Sequence, residues 1–489
     1  VMIHPFVLVC LSVLLSVRSQ QDFDALPARL DSALRTADPP ELVEVSIGPG
    51  IYLYGERHLD LNGLDLPGTR IVIRGDDCTL VAKDDGSGYA MKYNYVDLNT
   101  LKGVDTWTAV KKAGSWPIPV FSRKGVYKIR CHEPDLSEED AEDLWLHISQ
   151  WFLGPFYPVV RIKDGWLYFR KEEDPGTAMW SELRFGRCLP RYLLCKQPQR
   201  EGLHACTATN FLSLSNSRLG AFTMEDVSFL GNADGKYLIW LDGLQAGSTV
   251  IGRCRFSHIR SSCIKIDRMD GFRLEDCLFT GNYQGCLRVA QDCRNTSITG
   301  NRFIGNGRMM TNVPLVSCAG ADYRIADNYF EDFSYAALIL GVHYTEVDTY
   351  GTSGVVEQNE ICQSESFRQH PMRSLIDSGA IYIGTGNKRT VVRNNYIHDI
   401  DGPHGNRGIF ADDGTMNVTI EGNTVLRIRN GYCIDLRKCL RVKWLPDTKV
   451  TAPNTGNIVR NNVYDGDIRL FIRKDDPTSY IGENRKVCE

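Results

Sequence analysis

Ile298-Thr299-Gly300-Asn301-Arg302-Phe303 and Ile325-Ala326-Asp327-Asn328-Tyr329-Phe330 are one phrase written twice: apolar, any, any, Asn, any, apolar. It recurs around Asn359, Asn395, Asn423 and Asn462, and earlier copies carry Val227, Cys254 or Cys277 in place of Asn. The fourth residues fall at 227, 254, 277, 301, 328, 359, 395, 423 and 462, so the spacings are 27, 23, 24, 27, 31, 36, 28 and 39. A self-similar period with insertions growing toward the C-terminus is the mark of a repeat architecture. Short runs of Ile, Val and Phe broken by Gly, Asn and Asp are strands, and a period in the twenties suits a coil of three of them. The expectation is an all-β solenoid, a right-handed parallel β-helix. An Asn at each corner can take a left-handed backbone and bond to the Asn of the next coil, which makes these residues structural.

Working outward, residues 22–36 place Phe23, Leu26, Leu30 and Leu34 at helical spacing, as expected of a helix that caps the open end of a solenoid. Residues 43–53 and 70–75 read as the first coil strands. The period is lost over residues 85–215, where Asp164-Gly165 between two apolar runs signals a tight hairpin. That stretch reads as an inserted, mostly β subdomain. The division is then 1–19 a signal peptide, 20–84 the cap and first coils, 85–215 the insertion, and 216–489 the main β-helix. Trp145, Trp151 and Trp166 of the insertion are either aromatic core or a sugar-stacking surface.

Residues 6–17 form one apolar run, too short to span a bilayer and of the length of an export signal, with Val17-Arg18-Ser19 offering a cleavage site. The expected location is therefore exported: periplasmic, cell-surface or secreted. No later segment is apolar enough for a transmembrane helix. A net charge of -4, from 56 basic and 60 acidic residues, gives no general attraction for nucleic acid or anionic lipid. Of the 16 cysteines, Cys254 and Cys277 occupy inward positions of the repeat, so buried free thiols are expected rather than a disulfide scaffold. No Cys-x-x-Cys pairs with a second one, so a structural zinc site is not indicated.

Insertions in a solenoid collect on one face and build its binding surface. The longest spacings lie between 328 and 395 and between 423 and 462, and within those coils and the one between them Asp377, Asp412 and Asp413 stand beside Gly-flanked strands. Paired carboxylates there suit general acid and base chemistry. Stacking residues 379–383 on 408–412 would leave Asp377 and Asp412 roughly 20 Å apart along an extended strand, whereas a glycosidase pair needs about 5 to 9.5 Å. Stacking 431–435 on 408–412 would instead put Asp435 about 4.8 Å from Asp412, where two acids share a proton or hold a cation such as Ca²⁺. No cofactor is required by the sequence. His343, Tyr382, His398, His404, Arg407 and Arg437 are expected on the same face, to orient a sugar, move a proton or pair with a uronate.

Residues 355–435, with Glu357-x-Asn359-Glu360-Ile361, Asp377-Ser378-Gly379-Ala380-Ile381-Tyr382, Asn395-Tyr396-Ile397-His398-Asp399-Ile400 and Asp412-Asp413-Gly414, resemble β-helix proteins of the glycoside hydrolase family 141 type. The resemblance implies an exported polysaccharide-degrading enzyme, with catalytic carboxylates at Asp377 and Asp412 or Asp413; a monomer with a polysaccharide or oligosaccharide substrate is expected. Two other readings stand beside it. A polysaccharide lyase would use Lys388, His343 or Tyr382 as base and Arg407, Arg437 or Ca²⁺ to neutralise a uronate. A non-catalytic glycan-binding solenoid would need neither, since fold alone does not fix function.

Overall fold

The computed structural model describes residues 12–55, 58–83, 104–105, 120–123, 126–130, 138–139, 141, 144–149, 156–170, 191–196, 210–232, 237–243, 249–307, 313–341, 351–369, 378–384, 387–402, 405–412, 415–437, 455–471 and 476–487. Among these, the chain winds as a right-handed parallel β-helix. One full coil runs from strand Ile381–Ile383 through Asn387–Arg393 and Tyr396–Ile400 to Asn406–Ala411, which pairs in parallel with the strand that began it. The middle two strands of every coil belong to a 23-stranded sheet that folds over two faces, and the remaining strand belongs to an 11-stranded sheet that forms the third.

Alternation decides which side chains enter the interior. In the 11-stranded sheet Ile381 stacks on Ile409 and Ile383 on Ala411, then Ile434 and Leu436 follow, all in one continuous core. In the long sheet the last apolar position of the repeat gives a column of rings, Phe229, Phe256, Phe279, Phe303 and Phe330, with successive centroids 5.3, 4.7, 4.8 and 4.6 Å apart. Those spacings match the distance between adjacent strands, so offset stacking is imposed by the backbone at no extra cost.

The Asn positions form the expected ladder. Each Nδ2 from Asn301 through Asn328, Asn359, Asn395, Asn423 and Asn462 donates to Oδ1 of the next, at 2.8 to 3.0 Å, and the run extends to Asn484. The left-handed backbone, however, lies one residue earlier than expected. Asp226, Arg253, Asp276, Gly300, Asp327, Gln358, Asn394, Gly422 and Asn461 have φ between 50° and 69°. The reason is geometric: the residue that makes the bend points outward, which leaves the following Asn aimed inward at its neighbours.

Helix Gln20–Leu34 closes the N-terminal end, with Phe23, Leu26, Leu30 and Leu34 buried as the spacing predicted. Residues 12–17, the described part of the segment read as an export signal, lie against the solenoid. Ser12–Val17 is a strand in six-residue parallel register with Leu42–Ile47, Leu15 and Val17 join the core, and Ser19 caps the helix by accepting from the Asp22 amide at 3.1 Å. Cleavage after Ser19 would remove a strand and a helix cap together. The apolar run that suggests a leader is in this part an inward-outward alternation, with Leu14 outward and 63% exposed.

Between Ala82 and Phe211, the described strands form a separate 7-stranded antiparallel sheet, and Asp164-Gly165 makes its hairpin with Lys163 opposite Trp166. Trp166 carries the Lys128 ammonium over its ring at 4.4 Å, while Trp151 lies outside the described residues. The solenoid resumes at Leu212–Leu214, four residues before the expected boundary, and strand Arg218–Leu230 lies directly on Asp65–Ala82, with Phe222 against Ile71 and Phe229 against Leu80. The nine cysteines whose side chains are described are buried free thiols. No helix among the described residues is long and apolar enough to cross a membrane.

Candidate functional site

The outward positions of the 11-stranded sheet change character along the solenoid. Successive coils present Trp240, Lys265, Arg288, Ser317, Ile339, Tyr382, Phe410, Asp435 and Arg469 in one column. Tyr382 and Phe410 are fully buried yet stand apart from the continuous core, as expected of side chains on the outer face beneath further chain. Their rings meet edge-on with centroids 4.8 Å apart.

Asp412 ends strand Asn406–Ala411 on this face. Its amide donates to the Ile383 carbonyl at 3.0 Å, and its own carbonyl accepts from the Thr415 hydroxyl at 2.6 Å, so the backbone is pinned on both sides. The buried carboxylate accepts from the Tyr382 hydroxyl of the preceding coil and from Arg437 Nη1 of the following coil at 3.2 Å. Arg437 keeps 31% of its side chain exposed beside it. A carboxylate gripped from both neighbouring coils has one orientation, which is what a reacting group needs.

Asp435 is placed otherwise than expected. It lies in register with Phe410, and Arg437 occupies the position after Leu436 that corresponds to Asp412, so the two acids do not stack on each other. The Asp435 carboxylate is fully buried between Arg407 Nε at 3.0 Å and Arg469 Nε at 2.7 Å. Arg407 in turn lies over the Phe410 ring at 4.0 Å, and Arg469 over Tyr432 at 4.4 Å. Each acid thus faces guanidinium rather than the other acid, which removes the physical ground for a shared proton or a Ca²⁺ ion between them. Arg469 holds a part of this site that the sequence reading missed. The signal was present, because Ile468-Arg469-Leu470 repeats the apolar-charged-apolar pattern of Ile434-Asp435-Leu436 one coil later.

His398 is also corrected. It lies on strand Tyr396–Ile400 of the long sheet, on another face of the coil from Asp412 and Arg437, and pairs there with Glu360 and Asp399. His343, Asp377, His404 and Asp413, and the side chain of Lys388, lie outside the described residues. The approach to strand Ile381–Ile383 is described: Ser378, Gly379 and Ala380 are not part of the strand, which is only three residues long. A Cβ on Gly379 would meet the Phe410 Cβ at 2.9 Å, so only glycine lets the chain pass this close to the ring.

The protein is thus defined as a right-handed parallel β-helix whose outer face carries a buried tyrosine-aspartate-arginine group beside an aspartate locked between two arginines. A solved structure described as a glycoside hydrolase shares this fold at a TM-score of 0.58 and 11% identity, over 97% of this chain and 96% of that one. A surface adhesin of Streptococcus pneumoniae aligns at 0.42 and 9% identity, over 94% and 87%. A tailspike protein of the E. coli bacteriophage HK620 aligns at 0.40 and 11%, over 96% and 64%. No family model matches the sequence, and no curated protein matches it.

Proposed function

We propose that this protein is a polysaccharide-degrading enzyme, a glycoside hydrolase that works on the outer face of the 11-stranded sheet. The observation that carries the reading is Asp412, a buried carboxylate at a strand end held by Tyr382 and Arg437 from the coils on either side. A carboxylate already accepting from two donors is oriented as base or nucleophile rather than as proton donor. Asp377, or Asp413 next in the chain, then supplies the acid that protonates the leaving oxygen. The likeness in fold to a glycoside hydrolase supports the same chemistry. Export belongs to this reading, since polymeric glycans are met outside the cytoplasm, with processing that leaves Ser12–Val17 in place.

A second reading, elimination from a uronate-containing glycan, is favoured by one feature. Arg437 and Arg469 keep 31% and 44% of their side chains exposed beside the buried acids, and a guanidinium suits a sugar carboxylate. Incubation with neutral and uronate-containing polysaccharides separates the two, because hydrolysis yields reducing ends alone and elimination adds the ultraviolet absorbance of an unsaturated end. Asp412→Asn and Asp377→Asn are each expected to lower kcat by about 10²- to 10⁴-fold. Full activity in Asp412→Asn removes that residue from the mechanism, and inactivity of the native chain on the whole panel favours a non-catalytic binder.

A further inference from the structure

We propose that Glu360, Cys362 and His398 form a site for a divalent transition-metal ion, with Zn²⁺ the best fit. The site lies on the long sheet, away from the face that carries Asp412, and does not depend on the function proposed above. Strands Glu360–Cys362 and Tyr396–Ile400 belong to consecutive coils and pair so that Cys362 stands directly beside His398 and Glu360 beside Tyr396. One donor atom from each of the three residues lies within 4.8 Å of the other two. His398 Nε2 and Glu360 Oε1 are already 3.3 Å apart, close to the roughly 3.3 to 3.8 Å between donors that tetrahedral zinc bond lengths imply.

Three further observations point to a ligand. First, of the nine cysteines whose side chains are described, eight belong to the interior cluster and Cys362 does not. A thiol on the outer face of a strand is not explained by core packing. Second, His398 is held as metal-binding histidines are held. Its Nδ1 lies 2.6 Å from Asp399 Oδ2, and Asp399 is itself fixed by Arg427 Nε at 2.9 Å and Nη2 at 2.7 Å. With the ring proton on Nδ1, His398 donates to the Asp399 carboxylate and keeps the Nε2 lone pair facing Glu360 and Cys362. Arg427 Nη2 also lies 3.3 Å from Nδ1, but the carboxylate is nearer. Third, Glu360 is 48% exposed, which gives an ion a way in from solvent.

The donor set selects the ion. One sulfur, one imidazole nitrogen and one carboxylate oxygen suit Zn²⁺ and its neighbours in the first transition row, whereas Ca²⁺ and Mg²⁺ require oxygen throughout. Water completes four-coordination. The Cys362 thiol must give its proton to solvent as the metal-sulfur bond forms, so affinity rises with pH.

The test is a titration of the chelator-treated full chain with Co²⁺, followed by Zn²⁺. One equivalent of Co²⁺ is expected to raise a thiolate-to-cobalt charge-transfer band in the near ultraviolet, which Zn²⁺ then abolishes. Cys362→Ser should lose the band, Glu360→Gln should weaken binding without touching the fold, and Asp399→Asn should weaken it by about 10- to 100-fold by releasing the ring. Circular dichroism of each variant separates loss of ligand from loss of fold. No band in the native chain, or a band that survives in Cys362→Ser, overturns the proposal.

Discussion

Asp435 lies over Phe410 in the coil stack, with its carboxylate locked between Arg407 and Arg469 and closed off from solvent. An acid with both oxygens committed to guanidinium is a brace between coils. Removing its charge breaks the buried pair with Arg407, and breaking one side of a buried ion pair costs about 3 to 5 kcal/mol. Asp435→Asn is therefore expected to lower stability by that amount in urea unfolding. Asp412→Asn, whose Arg437 partner reaches solvent, is expected to cost much less. Equal losses in the two variants would contradict the division of roles between the acids.

The asparagine ladder carries a separate expectation. Asn359 Nδ2 donates to the carbonyls of Ile325 and Glu357 and to Asn395, while its Oδ1 accepts from the backbone and side chain of Asn328. Alanine there strands several buried polar groups at once, each worth about 1 to 3 kcal/mol when unpaired. A loss of at least about 3 kcal/mol is expected for Asn359→Ala. Asn484, at the C-terminal end of the ladder and only partly buried, should lose less on the same change. A comparable loss at both positions would show that the ladder is not what distinguishes them.

Coil number and strand type were readable because the same phrase recurs, and the cap helix because Phe23, Leu26, Leu30 and Leu34 share one face. The site was harder for a reason of symmetry. Matching Gly408 with Gly431 shifts the true register by two residues, since Gly408 stands between Arg407 opposite Tyr432 and Ile409 opposite Ile434. A slip of two keeps every side chain on its own face, so inward-outward alternation cannot detect it. Matching Gly379 with Gly408 was a slip of one, and alternation does expose that: it would have put Ile383 opposite Asp412, when Ile383 stacks on Ala411 in the core. The Glu360, Cys362 and His398 group was hidden for a third reason. Zinc spacing rules describe ligands close in sequence, and here a turn of the solenoid separates Cys362 from His398.

The N-terminal strand offers a direct experiment. Ser12–Val17 covers the edge of Leu42–Ile47, and the Ser19 hydroxyl caps the helix that closes the solenoid. A chain starting at Gln20 would present an unpaired strand edge and lose the cap, and an exposed edge is a template for association. Such a chain is expected to melt at a lower temperature than the full one and to show concentration-dependent light scattering. Identical melting and scattering would mean that Ser12–Val17 adds nothing to the fold.

The same end of the molecule should respond to pH. His58 is stacked on Phe23 with centroids 4.2 Å apart and on Phe211 at 5.8 Å, and its Nε2 has no hydrogen-bond partner. Burial pushes its pKa from 6.5 down to about 4, against a weaker opposing pull from Asp24. The folded state therefore resists the proton that the unfolded chain accepts. Stability from this residue is complete above pH 6.5 and is lost as pH falls from there toward 4, by up to about 3 kcal/mol. Replacing the ring by one that cannot charge, in His58→Phe, should flatten the unfolding free energy over that interval while leaving the value at pH 8 within about 1.5 kcal/mol of the native chain. If native and variant chains lose stability in parallel between pH 6.5 and 4, the acid sensitivity resides in other groups and the buried His58 ring is not its source.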